Sequence, residues 1–91
     1  MKIKDVVGID MSKLTFDARL HKSQAHKEFE NTKEGFAKCV KWAYKNSEFE
    51  KENILFSFEH TGLYSHQLAL FLTKKEIPFS MFPGLEIRRS L

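Results

Sequence analysis

At 91 residues, with 30% of them charged, a net charge of +3 and a pI near 9.1, the chain has room for one small domain and only a mild basic bias, which permits nucleic-acid binding without demanding it. Nine Phe, one Trp and two Tyr supply the bulk for a core, which excludes a disordered chain. No apolar run approaches the ~18 residues of a membrane helix, Met1–Asp5 lacks the apolar stretch of a signal peptide, and a cytoplasmic protein without a membrane partner is expected. The single Cys39 has no second cysteine for a disulfide or a zinc site and is expected to be a small buried apolar residue.

In chain order, Val6-Val7-Gly8-Ile9-Asp10 reads as a buried strand that ends in a carboxylate. Met11-Ser12-Lys13 is a short turn, after which Leu14 to His21 alternates apolar with polar, predicting a hairpin partner with Leu14, Phe16, Ala18 and Leu20 toward a core. Lys22-Ser23-Gln24 marks a second turn, and Ala25 to Glu30 is a third strand polar enough for a sheet edge. Asn31 to Glu34 resembles a capping box, with Asn31 capping and Glu34 reaching back. The helix behind it carries Phe36, Cys39, Val40 and Ala43 as one apolar stripe, flanked by Trp42 and Tyr44, with Lys38, Lys41 and Lys45 on the wet side.

Asn46 to Asn53 is a polar connection to Ile54-Leu55-Phe56-Ser57-Phe58-Glu59, a second buried strand ending in an acid. Thr61 is expected to cap, and Gly62 to turn into, a helix over Leu63 to Lys75. Its stripe is Tyr64, Leu68, Phe71 and Leu72, but Leu63 and Leu70 lie off it, so a second apolar face is expected to dock on further protein or on another copy in a homo-oligomer. Ile77 to Phe82, with Pro78 near its start, predicts a fifth strand ended by Pro83-Gly84, and Leu85 to Leu91 reads as the first turns of another helix.

The order β-β-β-α-β-α-β predicts an α/β domain: three strands in an antiparallel meander, then two added in parallel by right-handed helical crossovers. This order resembles the ribonuclease-H-like fold, in which the first strand lies central with the fourth beside it. On such a sheet Gly8 shares a face with Asp10, and Ser57 with Glu59, while Val7, Ile9, Phe56 and Phe58 take the other. Asp10 and Glu59 then finish side by side at the carboxyl edge, where open α/β sheets carry their sites. Two neighbouring carboxylates repel unless a cation or a shared proton compensates. Mg²⁺, which prefers carboxylate and water oxygens, is the expected cofactor, held by Asp10 and Glu59 as the catalytic and metal-binding pair.

The segments Val7-Gly8-Ile9-Asp10-Met11-Ser12-Lys13, Asn31-Thr32-Lys33-Glu34-Gly35-Phe36 and Glu59-His60-Thr61-Gly62-Leu63-Tyr64 resemble the N-terminal part of a DEDD-type insertion-sequence transposase of the insertion-sequence one-ten family. The resemblance runs nearly end to end. It implies a RuvC-like, ribonuclease-H-like domain whose four acids bind magnesium, the first falling on Asp10 and the second on Glu59, with two further aspartates beyond Leu91. Residues 1–91 would then be the N-terminal portion of one such domain, truncated before its C-terminal helices, and a separate domain with a catalytic serine would lie elsewhere. The implied function is DNA recombination with DNA and a structured guide RNA as partners. With two of four acids, the chain alone is expected to bind Mg²⁺ weakly and to cut nothing.

Ser12 and Lys13, directly after Asp10, are candidates for phosphate or RNA-backbone contact, as are Thr61 and Gly62 at a helix start and the Arg88-Arg89 pair. No acid or histidine is placed to activate Ser12 as a nucleophile. His60 and His66 are possible ligands or proton carriers but are expected to pack or face solvent, and His21 and His26 flank a turn. Two other classes compete. Actin-like ATPases and sugar kinases also open on Gly-Ile-Asp, but this chain lacks their glycine- and threonine-rich phosphate loop. A non-catalytic RNA-binding or oligomerisation module would use the basic balance and the two-faced helix.

Overall fold

The computed structural model describes residues 2–59 and 63–82. Strands β1 (Asp5–Met11), β2 (Thr15–Leu20) and β3 (His26–Glu30) lead into helix α1 (Lys33–Asn46). A 3₁₀ turn at Lys51–Asn53 precedes strand β4 (Ile54–Glu59), and a second at Leu63–Ser65 runs into helix α2 (His66–Lys74) and strand β5 (Phe79–Phe82). The domain is α/β, with one five-stranded mixed sheet in the order β3-β2-β1-β4-β5. β1 pairs antiparallel with β2, as β2 does with β3, whereas β1–β4 and β4–β5 are parallel. The meander and the two crossovers are therefore those expected from the order of elements.

Both crossovers advance the same way across the sheet, so right-handed connections bring α1 and α2 to one face. Period-two alternation supplies that face: Val7 and Ile9 from β1, Phe16, Ala18 and Leu20 from β2, and Ile54, Phe56 and Phe58 from β4 are all buried. α1 buries Phe36, Cys39 and Ala43, and α2 buries Leu68 and Leu72. Aromatic rings join the layers, with Phe36 5.8 Å from Phe16 and 5.5 Å from Phe71 between centroids. Cys39 is buried as expected, and burial pushes its thiol up to about 12, far from a reactive thiolate.

Two features, one polar and one steric, fix how the layers meet. Asp5, 2% exposed at the start of β1, accepts from the backbone of Val6 and Lys22 and from the Ser47 hydroxyl at the end of α1. One carboxylate thereby ties β1, the β2–β3 turn and the C-terminus of α1. At the other end of α1, Gly35 lies against the last residue of β3, where a Cβ would overlap the Glu30 carbonyl group. That close approach is why the first turn of α1 needs glycine.

Several expectations are corrected. Leu14 does not face the core but is 76% exposed, because Ser12 donates from both backbone and hydroxyl to the Thr15 carbonyl and closes a tight turn with Leu14 on it. Thr32, not Asn31, caps α1: its hydroxyl accepts from the Gly35 amide at 3.1 Å. Regular α2 begins at His66 rather than Leu63, and Tyr64, placed on its apolar stripe by sequence, is 43% exposed in the preceding 3₁₀ turn. β5 begins at Phe79, after Pro78 has accepted from the Phe56 amide through its carbonyl. The expected Thr61-Gly62 cap, the Pro83-Gly84 stop and the helix at Leu85 lie outside the described residues. Among the described residues no helix is long and apolar enough to cross a membrane.

Candidate active site

The face of the sheet opposite the helices is open among the described residues, and alternation brings the polar members of the strands there. β1 and β4 keep parallel register through Ile9 opposite Phe58, both buried on the helix side. Asp10 and Glu59 follow one residue later, at the carboxyl ends of these neighbouring strands, and both are exposed on the open side. Across β1, Asp10 is paired with Asp17 of β2, and Asp17 with Glu28 of β3. Glu59, Asp10, Asp17 and Glu28 thus form one acidic row across four strands. Sequence reading found the first two and missed the others, since Asp17 and Glu28 join the row only through antiparallel registers that a linear pattern does not specify. Among the described residues none of the four carboxylates is ion-paired.

One step back along the strands the surface sinks. Gly8 lies between Arg19 of β2 and Ser57 of β4, and a Cβ added to Gly8 would meet nothing within 4 Å. Together with Asp10, Asp17 and His26, these residues line an open concavity of about 720 Å³. Arg19, whose guanidinium bonds Gln24 at 3.3 Å, supplies the positive charge beside the acids.

Of the other candidates, Ser12 and Lys13 are exposed in the turn just past Asp10, with the Ser12 hydroxyl already given to the Thr15 carbonyl. His66 is exposed at the start of α2, and His21 is exposed in the β2–β3 turn. His60, Thr61, Gly62, Arg88 and Arg89 lie outside the described residues. The feature that sequence reading misassigned is Asn31. Its side-chain amide donates to the carbonyls of Ser12 at 3.1 Å, Lys13 at 3.4 Å and Tyr64 at 3.2 Å. It therefore ties the turn after Asp10 to the segment after Glu59. Three carbonyl acceptors fix which end of the amide is nitrogen. Among the described residues its Oδ1 is buried without a partner, a cost borne for that geometry.

Among the described residues no group of three or more His, Cys, Asp and Glu side chains could enclose a metal ion. Asp10 and Glu59 are nonetheless a donor set suited to Mg²⁺, which keeps most of its waters and is commonly held by one or two carboxylates. Zinc, which takes nitrogen and sulfur from closed tetrahedral sites, does not fit two exposed acids. No protein-family model matches the chain, and no curated protein matches it in sequence.

Proposed function

We propose that the chain is the N-terminal portion of a ribonuclease-H-like, RuvC-like domain of a DNA transposase, acting on phosphodiesters with Mg²⁺. The observation that carries this reading is that two acids terminate adjacent parallel strands, β1 and β4, on the open face of the sheet. Central β1 with β4 at its side is the strand neighbourhood that such an enzyme requires, and the three motifs resembling the insertion-sequence one-ten family add DNA and a guide RNA as partners. Asp10 and Glu59 would hold the ion. When bound, Mg²⁺ supplies positive charge to the oxygens of a phosphodiester. The chain's own part is to present two carboxylates from rigid strands, to keep space beside them at Gly8, and to fix the flanking segments through Asn31.

Manganese, a paramagnetic substitute for magnesium, tests this reading by nuclear magnetic resonance. Weak binding should broaden amide signals at Gly8–Met11 and Phe58–Glu59, and Asp10→Ala with Glu59→Ala should abolish it. Broadening centred elsewhere, or undiminished in the double variant, would remove the basis for the reading. The chain alone is expected to leave DNA uncut, having two of the four acids.

A further inference from the structure

On the opposite side of the sheet from the acids, edge strand β3 and helix α1 enclose a groove of about 630 Å³. Its floor is aromatic: the Phe29 and Trp42 rings meet in a T-shaped arrangement, 5.7 Å between centroids, and Trp42 is half-buried. Its walls are basic. Lys38, Lys41 and Lys45 stand at i, i+3 and i+7 along α1, a stripe about 10 Å long. Lys27 closes the β3 side with its ammonium 5.7 Å from the Phe29 ring centroid. All four lysines are exposed and none makes an ion pair among the described residues. Glu28 and Glu30 contribute backbone to the groove, but alternation sends their side chains to the other face, with Asp17 and Thr15. Among the described residues the Trp42 indole N–H has no hydrogen-bond partner.

A salt-bridged helix face would neutralise such a stripe, and a purely solvated one would not need an indole beneath it. Unpaired ammonium groups beside an accessible aromatic ring are instead the combination that follows a phosphate backbone while stacking an unpaired base. A duplex keeps its bases stacked inside and offers the ring nothing, and an acidic peptide would use the lysines but not Trp42. We infer that the groove between β3 and α1 binds a single-stranded polynucleotide segment, with Lys27, Lys38, Lys41 and Lys45 on its phosphates and Trp42 against a base. This site goes beyond the phosphodiester reading and does not depend on it, since it uses neither Asp10 nor Glu59.

Trp42 is the sole tryptophan, so its fluorescence reports this groove alone. A short deoxythymidine oligonucleotide should quench it, with log affinity falling against log salt at a slope near −3, from about 0.7 per phosphate contact. Lys38→Gln, Lys41→Gln and Lys45→Gln together should lower affinity at least tenfold and flatten the slope by about two. These exposed helix positions accept Gln without loss of fold, checked by circular dichroism. Asp10→Ala should leave the quenching unchanged, which separates failure here from failure of the metal site. The inference is overturned if the oligonucleotide does not quench Trp42 or if the triple variant keeps wild-type affinity and slope. It is equally overturned if a duplex of the same length, or polyglutamate, quenches as tightly as the single strand.

Discussion

Replacing Asp10 by Asn should make the metal-free protein more stable, not less. Asp10 faces Asp17 across β1–β2 and neighbours Glu59 across β1–β4, with no ion pair among the described residues to offset either. Like charges directly opposite on a sheet cost about 0.2–1 kcal/mol per pair. Both neighbours are exposed, so solvent screening holds the combined relief to about 0.5–1 kcal/mol at low ionic strength. For a domain of this size that corresponds to a rise in Tm of roughly 3–6 °C. Thermal or urea unfolding in EDTA at low salt reads it directly. The gain should vanish near 1 M salt, where the Debye length is about 3 Å. Asp17→Asn should also stabilise, and the double variant should gain less than the sum because the two share one repulsive contact. Addition of Mg²⁺ should reverse the order, since tenfold excess over the dissociation constant returns about 1.4 kcal/mol to the wild type and little to the variant. A less stable Asp10→Asn protein, or a gain indifferent to salt, would refute the acidic row as an electrostatic unit.

Asn31→Asp, equal in size but facing three carbonyls with a carboxylate, should cost about 2–4 kcal/mol in urea unfolding and speed amide hydrogen exchange in the turn after Asp10; unchanged exchange there would deny the tether. Asp5→Ala strands two part-buried backbone amides and the Ser47 hydroxyl, so a loss of about 2 kcal/mol is expected, with Asp5→Asn losing about half as much. Gly35→Ala should cost about 3 kcal/mol or more through the clash with Glu30, whereas Gly8→Ala, with open space around its Cβ, should stay within about 1 kcal/mol of wild type. With the Cys39 thiol pushed up to about 12 from 9.0, the unfolded chain releases its proton first. Stability should therefore fall as pH rises from 9 toward 12, by up to about 1.4 kcal/mol per unit, and Cys39→Ala should flatten that arm of a pH-dependent unfolding series.

The strands and their buried faces were legible because period-two alternation is a local signal. Val7, Ile9, Phe56 and Phe58 could be assigned to one face without knowing the partner strand. The adjacency of β1 and β4 was expected only from the likeness of the element order to a known fold, because order and crossover handedness alone do not say which strand β4 joins. What escaped was decided across the chain. Leu14 satisfies the same alternation as Phe16, but the hydrogen bonds from Ser12 to Thr15 make it part of a turn. Asn31 has the composition of a cap, yet carbonyls more than 15 residues away claim its amide, and Thr32 supplies the cap instead. Asp5 lies just ahead of the apolar run with nothing local to mark it, although donors at Lys22 and Ser47 make it a buried hub. Long-range hydrogen bonding has no signature in a local window.

The one-sided placement of α1 and α2 divides β1 and β4 between two kinds of constraint. Odd-numbered β1 positions such as Val7 and Ile9 answer to helix packing, and even-numbered ones such as Gly8 and Asp10 answer to whatever meets the bare side. Drift or engineering can therefore retune one set with little disturbance to the other. A lineage built on this sheet could change its chemistry at alternate codons while its scaffold stays put.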